Sequence, residues 1–480
     1  MSSINAPTYD PTSTAQAMAQ KLTASAQEML TNQTKTASAT STALSKLGSA
    51  ISAFQTSLST LTGIGKSMLA QSATLSNTTV GSATAKPTAA AGTYNLFVKQ
   101  VATAGQSSYQ IGANAQIGGQ LTLTLAAPST PATTPASPTT PPAGQFTVQL
   151  SAAADTDGDG SLSARELAAA INSEPTNAGR VSAGVVTIGG VPQLVLTSAN
   201  TGVANNVWLD PSAVGDSTLA GSLGLDKRTV TVEAKDAILL YGGTSSTTGT
   251  PITQSSNTFT NIDGVSLTVS RAQTADESPF TLTVGASTSG TQSNMQAFVD
   301  AYNKLKSVID GMVDPGDPST GASPGAFAHD AGVRALQSRL VSMLRATGNP
   351  SLASYGITAA RDGTLSLDTA RLTKQLALDP TSLDKLIGSA STGSPTGIAG
   401  SLNTYLNQWS NSTTGQITQR NDSITKLQSS LTKRQSDLDA QFNAAYDRYL
   451  KQFTDLQTLQ ARMNSNVSMF DALFGNDKSN

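Results

Sequence analysis

The C-terminal end of the chain carries the feature that most limits how it can fold. Between positions 417 and 474 the sequence contains neither proline nor glycine, and apolar residues recur at heptad-like spacing with one phase slip near 438–442. A continuous helix over this span would be about 85 Å long, at ~1.5 Å per residue. One helix cannot bury such a stripe against itself. The sequence therefore predicts a partner for it, which is the N-terminal helix, a helix at 293–313, or another chain.

A second apolar stripe near the N-terminus predicts one such partner. Large apolar residues alternate at spacings of three and four over 44–61, which places them on one face of a helix. We therefore expect a helical leg at 41–78, and a weaker pattern reaches back to Met18 and Leu22. Residues 1–15 carry Pro7 and Pro11 and no periodicity, so we expect them to be disordered in isolation. Residues 1–40 as a whole are expected to form a disordered or terminal segment of the leg.

The middle of the chain is strand-like, with short β-branched and aromatic runs separated by turn residues. The sequence thus predicts an α+β fold. Long amphipathic, coiled-coil-like helices from both chain ends form a helical leg, and a mainly antiparallel β head of two subdomains is inserted between them. The expected parts are an inner head domain (79–113 and 228–290), an outer head domain (114–227), a leg region with a small hairpin (291–415) and the long C-terminal helix (416–480).

A low-complexity segment interrupts the outer head domain. Residues 127–143 consist almost entirely of proline, threonine, serine and alanine. Such a segment cannot build a core, so we expect an exposed loop between two paired strands.

Composition argues against several function classes. The chain has no cysteine and a single histidine, His329, so disulfides, thiolate chemistry and His-based triads lack their residues. No acid, base and nucleophile form a catalytic pattern, and we expect neither an enzyme nor a required cofactor. A net charge of −2 gives no reason to expect nucleic-acid binding. No apolar run approaches the ~20 residues of a membrane-spanning helix, and the N-terminus does not resemble a Sec signal peptide.

The segment DTDGDGSLSARE at 155–166 matches the twelve-residue EF-hand calcium loop. Its candidate ligands are the three aspartates, the carbonyl of the residue at position 7 and the final glutamate: Asp155, Asp157, Asp159, Ser161 and Glu166. A second interpretation needs no metal, because Ser163-x-x-Glu166 is also a helix capping box. The three aspartates favour calcium, as they would otherwise crowd like charges at one turn. The preceding residues are strand-like, which indicates a weak structural site rather than a signalling sensor.

The last part of the C-terminal stripe extends past any N-terminal partner that the sequence predicts. Its first half can pack within the chain, whereas its second half is the candidate surface for contact with other chains. The residues predicted to make these oligomer or filament contacts are Leu456, Leu459, Met463, Val467 and Phe470.

Several segments, in order along the chain, resemble the flagellar filament-capping protein (hook-associated protein 2) family. They are AGTYNLFVKQVATAG (91–105), the Ile171-Asn172 pair, NTFTNIDGVSLTV (257–269), the F-V-x-A-Y-N run from Phe298 to Asn303, and SLASYGITAARDGTLSLDTARL (351–372). Any one of these motifs is weak. Five in the family's order, with helical ends around a β middle, are specific.

The resemblance implies a secreted, extracellular structural protein at the distal tip of the bacterial flagellar filament. It implies a homo-oligomeric ring of about five copies, export through the flagellar type III pore with an export chaperone, and guidance of flagellin folding and insertion. Two alternatives stay open. One is another axial flagellar protein, such as a hook–filament junction protein. The other is a calcium-stabilised tip adhesin that binds host mucin or glycans.

Overall fold

The computed structural model describes residues 10–112, 115–127, 144–345 and 351–474. The chain divides into two compact units, a helical unit formed by Met1–Met68 with Thr291–Asn480 and a β unit formed by Leu69–Gly290. Among the described helices, none combines the length and hydropathy needed to cross a bilayer. In chain order the α-helices are α1 (Pro11–Thr62), α2 (Ala164–Ser173), α3 (Ser217–Ser222), α4 (Thr288–Val313), α5 (Ala331–Leu344), α6 (Thr369–Leu378), α7 (Ser382–Ile387), α8 (Gly397–Ser410) and α9 (Gln416–Phe474).

The strands lie in the β unit, apart from one small hairpin in the helical unit. Those of the β unit are β1 (Ala70–Leu75), β2 (Gly81–Ala85), β3 (Gly92–Gln100), β4 (Ala104–Gln110), β5 (Ala115–Gln116), β6 (Gln120–Ala126), β7 (Gln145–Gln149), β8 (Ser161–Leu162), β9 (Val181–Ile188), β10 (Val191–Thr201), β11 (Asn206–Asp210), β12 (Thr229–Val232), β13 (Ala237–Tyr241), β14 (Thr250–Gln254), β15 (Thr258–Phe259), β16 (Val265–Val269) and β17 (Phe280–Ser287). The hairpin consists of β18 (Ile357–Ala359) and β19 (Leu365–Leu367).

Helix α1 begins much earlier than the sequence predicted. The carboxylate of Asp10 caps it by accepting hydrogen bonds from the N–H groups of Thr12 and Ser13, and a proline fits the first helical position because its missing N–H would be unpaired there anyway. The disordered alternative for 1–40 is therefore wrong for 11–40, which form the first part of the leg helix α1. The reason is that small residues such as Ala15 and Ala19, both fully buried, carry the stripe, and alanine gives a weak apolar signal.

The predicted leg boundary at residue 78 is also wrong. Helix α1 ends at Thr62, and residues 70–75 form β1, which pairs with β17 in the β unit. The short sequence between the helix and the strand carries glycines that end the helical pattern, so the helix ends 16 residues before the predicted boundary, at 62 instead of 78. The C-terminal helix α9 starts at Gln416, where the sequence places it.

The inner part of the β unit is a sandwich of two antiparallel sheets. A five-stranded sheet has the order β1-β17-β3-β13-β14, and a three-stranded sheet has the order β15-β16-β2. Their facing side chains form one core, which includes Leu96, Val98, Leu239, Leu267 and Leu282. The alternation of apolar and polar residues in these strands places the apolar set on the inner faces.

The outer part of the β unit has its own core and a separate set of sheets. A four-stranded sheet has the order β12-β4-β10-β9, a three-stranded sheet has the order β11-β6-β7, and α2 packs with them around residues such as Leu121, Leu167 and Leu194. The inner-domain boundaries predicted at 113 and 228 are thus wrong, because β4 and β12 pair in the outer sheet. The chain crosses between the two parts at the isolated bridge between Thr103 and Lys235.

The predicted Pro/Thr loop lies outside the described residues, apart from Ala127. The strands on either side of it, β6 and β7, pair antiparallel with Thr124 opposite Gln145. The segment therefore connects the two strands of a hairpin.

Candidate functional site

Helices α1 and α9 pack against each other in an antiparallel pair. Gln27 and Gln435 exchange two side-chain amide hydrogen bonds, at 3.1 and 3.0 Å, while the position of Gly48 lies next to Ile417. Residues closer to the N-terminus of α1 therefore lie beside residues closer to the C-terminus of α9. One cluster of buried residues at this contact, called the helix seam below, consists of Leu30, Ala37, Leu431 and Leu438.

The apolar stripe of α9 continues beyond the helix seam. Because α1 begins about 16 residues before Gln27, its first turn lies opposite roughly residue 451 of α9. Past that point the predicted contact residues are exposed, with Leu456 41%, Leu459 54%, Met463 47% and Phe470 51% exposed and Val467 partly exposed. At ~100° per residue these side chains occupy one face of the helix. The structure thus gathers them into one exposed apolar strip, called the distal strip below.

The F-V-x-A-Y-N segment lies in α4 and supports the core of the helical unit. Phe298 and Tyr302 are buried, and the centroid of each ring lies 6.4 Å from that of Phe54 in α1. The amide of Asn303 forms two hydrogen bonds of 2.8 Å with Leu365, donating to its carbonyl and accepting from its N–H. The segment therefore has a packing role, joining α1, α4 and the β18–β19 hairpin.

The segment 155–166, called the acidic loop below, brings its three aspartates together. Carboxylate oxygens of Asp155, Asp157 and Asp159 lie within 4.8 Å of one another. Asp155 accepts hydrogen bonds from the N–H groups of Gly158 and Gly160, at 2.7 and 3.0 Å. Both glycines have the left-handed backbone conformation, with φ of 74° and 81°, that other residues rarely adopt. This half of the loop offers the oxygen ligands that Ca²⁺ prefers.

Glu166 holds the other half of the acidic loop. Its Oε2 accepts hydrogen bonds from the N–H and hydroxyl of Ser163, at 2.9 and 2.8 Å, and forms a complete capping box at the start of α2. Its Oε1 accepts from the N–H groups of Thr156 and Asp157. These bonds, led by those from Ser163, lower the pKa of Glu166 to about 2. The capping interpretation is confirmed, and the calcium hypothesis stays a prediction.

Like charges crowd around Asp157. The N–H of Asp159 donates to it at 3.2 Å and favours its ionised form. The pKa of Asp157 is nevertheless raised, because desolvation and the carboxylates of Asp159, Glu166 and Asp155 together outweigh that bond. Ser161, the fourth candidate ligand, pairs with Gln116 in the β5–β8 ladder and donates its N–H and hydroxyl to Asp159.

Two asparagines, Asn172 in the last turn of α2 and Asn177 in the short turn after it, have a role that sequence reasoning missed. The side-chain amide of Asn172 forms two hydrogen bonds with the backbone of Ala183, at 2.7 and 2.9 Å. Asn177 does the same with Val181, at 2.8 and 2.9 Å. Each amide replaces a neighbouring strand at the start of β9. The available signal was the pair of asparagines nine and four residues before β9, since a side-chain amide offers the same donor and acceptor as a peptide group.

Comparison with known families decides the assignment. The family model described as "Flagellar hook-associated protein 2 C-terminus" matches residues 234–465, and the one described as "Flagellar hook-associated protein 2 N-terminus" matches residues 8–105. Together they span well over half of the sequence. This chain belongs to the flagellar hook-associated protein 2 family.

Relatives in the hook-associated protein 2 family cover most of the chain. The lateral flagellar hook-associated protein 2 of Vibrio parahaemolyticus is 30% identical over 81% of this chain and 82% of its own length. The B-type flagellar hook-associated protein 2 of Pseudomonas aeruginosa is 30% identical over 86% of this chain and 84% of its own length. The family resemblance of the sequence motifs is thereby confirmed.

A solved structure supports the same assignment. The crystal structure of the D1-D2-D3 domains of the flagellar cap protein FliD from Escherichia coli covers 80% of this chain and 99% of its own, with a TM-score of 0.58 and 27% identity. The predicted α+β class is confirmed, with long helices at both chain ends and antiparallel sheets between them.

Proposed function

We propose that this chain caps the distal tip of the bacterial flagellar filament as a secreted homo-oligomer and promotes the folding and insertion of exported flagellin. Membership of the hook-associated protein 2 family and likeness to a flagellar cap protein support this role. The role is structural rather than catalytic. The family favours the cap over a junction protein or an adhesin.

The observation that carries the proposal is the distal strip of α9. A helix is stabilised in water mainly by burying its apolar face, and α1 provides that burial only as far as roughly residue 451. Each large apolar side chain that becomes fully buried contributes about 1.5–3 kcal/mol. Covering the distal strip on another chain would therefore supply several kcal/mol per subunit. A protein that holds the end of a helical filament needs such a surface.

The partners follow from the same surface. Copies of this chain in a ring of about five, and flagellin at the filament tip, would each present helices to the distal strip. A flagellar export chaperone would cover the same apolar helix before export, because an exposed strip of this kind otherwise invites non-specific association.

The experiment replaces the apolar character of the distal strip and leaves the helix intact. A triple variant, Leu456→Gln with Leu459→Gln and Met463→Gln, keeps good helix formers in place. We expect it to fold with a normal helix content, to sediment as a monomer and to fail to restore swimming to a cell that lacks its own cap protein. Deletion of residues 455–480 should give the same result.

The matched control places the same residue type on the opposite face of the same helical turns. Thr458→Gln with Ala461→Gln and Ser465→Gln should still assemble and restore swimming. If the strip variant forms rings and restores swimming as the control does, the distal strip is not the assembly surface. Long filaments of the unmodified protein in electron micrographs, instead of rings, would indicate a different axial protein.

A further inference from the structure

The four-stranded sheet of the outer β unit has an open edge at β9. Asn177 and Asn172 pair with the outward-facing backbone groups of Val181 and Ala183. Because outward-facing residues alternate along a strand, Val185 and Thr187 come next. Thr187 lies opposite Pro192 of β10, and proline has no N–H that could donate to the carbonyl of Thr187. This agrees with the backbone groups of Thr187 pointing away from β10. Within the part of the chain that the structure describes, no group pairs with Val185 or Thr187 on that side.

The open part of β9 lacks the usual protection of an edge strand. Natural edges are blunted by lysine, proline or a bulge, since unpaired backbone groups otherwise recruit another strand. From Val181 to Ile188 the strand has no charged residue and no proline. Its large exposed side chains are apolar and β-branched, with Val185 38%, Val186 49% and Ile188 57% exposed. The tight Gly189-Gly190 turn, with φ of 60° and 82°, holds this end of the strand in a hairpin with β10.

At the opposite edge of the same sheet, no strand among the described residues pairs with the outer side of β12. All four residues of β12 are exposed, and Val230 and Val232 carry apolar β-branched side chains there. The strand is anchored at its start by Arg228, whose guanidinium lies 4.3 Å from the Trp208 ring centroid and whose Nε donates to Ser107 at 2.9 Å. An anchored edge loses little conformational entropy when another strand pairs with it.

We propose that β9 of one copy pairs antiparallel with β12 of the next copy and continues the sheet from subunit to subunit. Each neighbouring pair in the order β12-β4-β10-β9 is antiparallel. The two edge strands therefore run in opposite directions, and a copy placed beside β9 in the same orientation presents β12 with the polarity that continues the pattern. Such a head-to-tail contact closes into a ring under rotation.

A second copy of this chain is the occupant that both edges favour together. Neither strand carries a charge, so their pairing desolvates no ion and opposes no like charges. A four-residue pairing buries far less than the ~1,200 Å² of a stable interface. It therefore forms only where other contacts already hold the copies together. The inference thus rests on the proposed homo-oligomer, with the distal strip as the main contact.

Cross-linking tests the contact directly, because the chain has no native cysteine. Val186→Cys with Val232→Cys in one full-length chain should give a ladder of disulfide-linked oligomers on mild oxidation. Both positions lie on the solvent face of the sheet by register. Val186→Cys alone is the matched control and should stay unlinked. Efficient dimers from this single variant would show that β9 pairs with itself, which overturns the proposal.

A second variant does not depend on the register of the contact. Thr187→Pro removes an outward N–H and leaves the β10 pairing intact, whereas Thr187→Ser keeps the N–H and serves as control. We expect Thr187→Pro to raise the concentration for half-maximal assembly about tenfold. The reason is that the variant loses one hydrogen bond to the neighbouring copy and that the proline ring also obstructs the approach of its strand. If the unmodified protein forms rings while the double-cysteine variant gives no ladder and Thr187→Pro assembles normally, the edge pairing is wrong and the cap proposal stands. If the unmodified protein neither assembles nor caps, both are wrong.

Discussion

The helix seam and the acidic loop are both specified by a few residues at fixed spacing, but they obtain their partners differently. In the helix seam, Leu431 and Leu438 are buried because α1 runs alongside them. In the acidic loop, Glu166 satisfies its carboxylate with N–H groups of its own loop and helix. The apolar residues of the helix seam are therefore buried only when a second helix packs on them. The hydrogen bonds of Glu166, in contrast, all form within the twelve residues of the acidic loop.

The difference explains why the same heptad pattern has two outcomes along α9. Where α1 is present the pattern is buried, and beyond roughly residue 451 it is exposed. Periodicity tells which face of a helix is apolar, and the length of the partner decides how much of that face is covered. The acidic loop has no such dependence, since its donors lie a few residues away in sequence.

The largest effect is expected from breaking the helix seam. Leu438→Ala should lower the free energy of unfolding of the helical unit by about 3 kcal/mol, because it removes a buried side chain and leaves a cavity. Leu456→Ala, in the distal strip, should change it by less than about 0.5 kcal/mol in the monomer. Urea unfolding followed by the helical circular-dichroism signal measures both.

The same pair of variants should behave in the opposite way in assembly. Leu456→Ala should weaken oligomer formation in sedimentation, and Leu438→Ala should do so only to the extent that it unfolds the helix. Equal losses of monomer stability from the two substitutions would show that the distal strip packs within its own chain.

A smaller effect is expected from protonating the acidic loop. The pKa of Glu166 is lowered from 4.5 to about 2 in the folded chain. Ionised Glu166 therefore stabilises the fold above pH ~4.5, and this contribution is lost as the pH falls from there through about 2. The protection factors of the amides of Thr156, Asp157 and Ser163 in hydrogen exchange, which compare each observed rate with that of an unstructured peptide at the same pH, should fall over that window in the native sequence.

Glu166→Gln provides the matched comparison for the pH experiment. It should exchange faster than the native chain above pH ~4.5 and equally fast near pH 2, because the native side chain is then neutral as well. A native protection-factor profile that is flat between pH 5 and pH 2 would mean that the carboxylate bonds do not hold the loop.

The smallest effect is expected from Ca²⁺, which tests the sequence hypothesis for the aspartates. We expect an affinity on the order of 10⁻⁴ to 10⁻³ M, as for extracellular modules, because Glu166 is already engaged by its own helix. At ten times the dissociation constant, Ca²⁺ would stabilise the fold by about 1.4 kcal/mol. Asp155→Ala with Asp157→Ala should abolish this gain and leave α2 intact, whereas Glu166→Ala should damage both.

Calorimetric titration at millimolar Ca²⁺, with Mg²⁺ as the control ion, measures this prediction. The opposing result would be an absence of heat together with a double alanine variant that melts at or above the native temperature. Relief of the charge crowding around Asp157 would then be the only consequence of the substitution.

Sequence reasoning succeeded where the signal was strong and local. The long helix at the C-terminus, the capping box at Ser163 and the antiparallel β middle all follow from patterns within one element. It left 11–40 undecided between disorder and leg, although Ala15 and Ala19 carry the buried face of α1, because alanine favours a helix on any face and Ala17 and Ala24 of the same helix are exposed. It also failed at the subdomain boundaries, because β4 and β12 are assigned by their hydrogen-bond partners far away in sequence.

The sequence by itself determined the class of the fold, the apolar face of α9 and the chemistry of the acidic loop, because each depends on residue type and short-range spacing. Only the tertiary structure decided that α1 covers α9 as far as roughly residue 451, that Asn172 and Asn177 close half of the β9 edge, and that the rest of that edge is open. These outcomes depend on which distant segments pack together and on the residue at which each segment ends. No local pattern carries that information, because a strand or helix has the same sequence whether its neighbour ends beside it or continues.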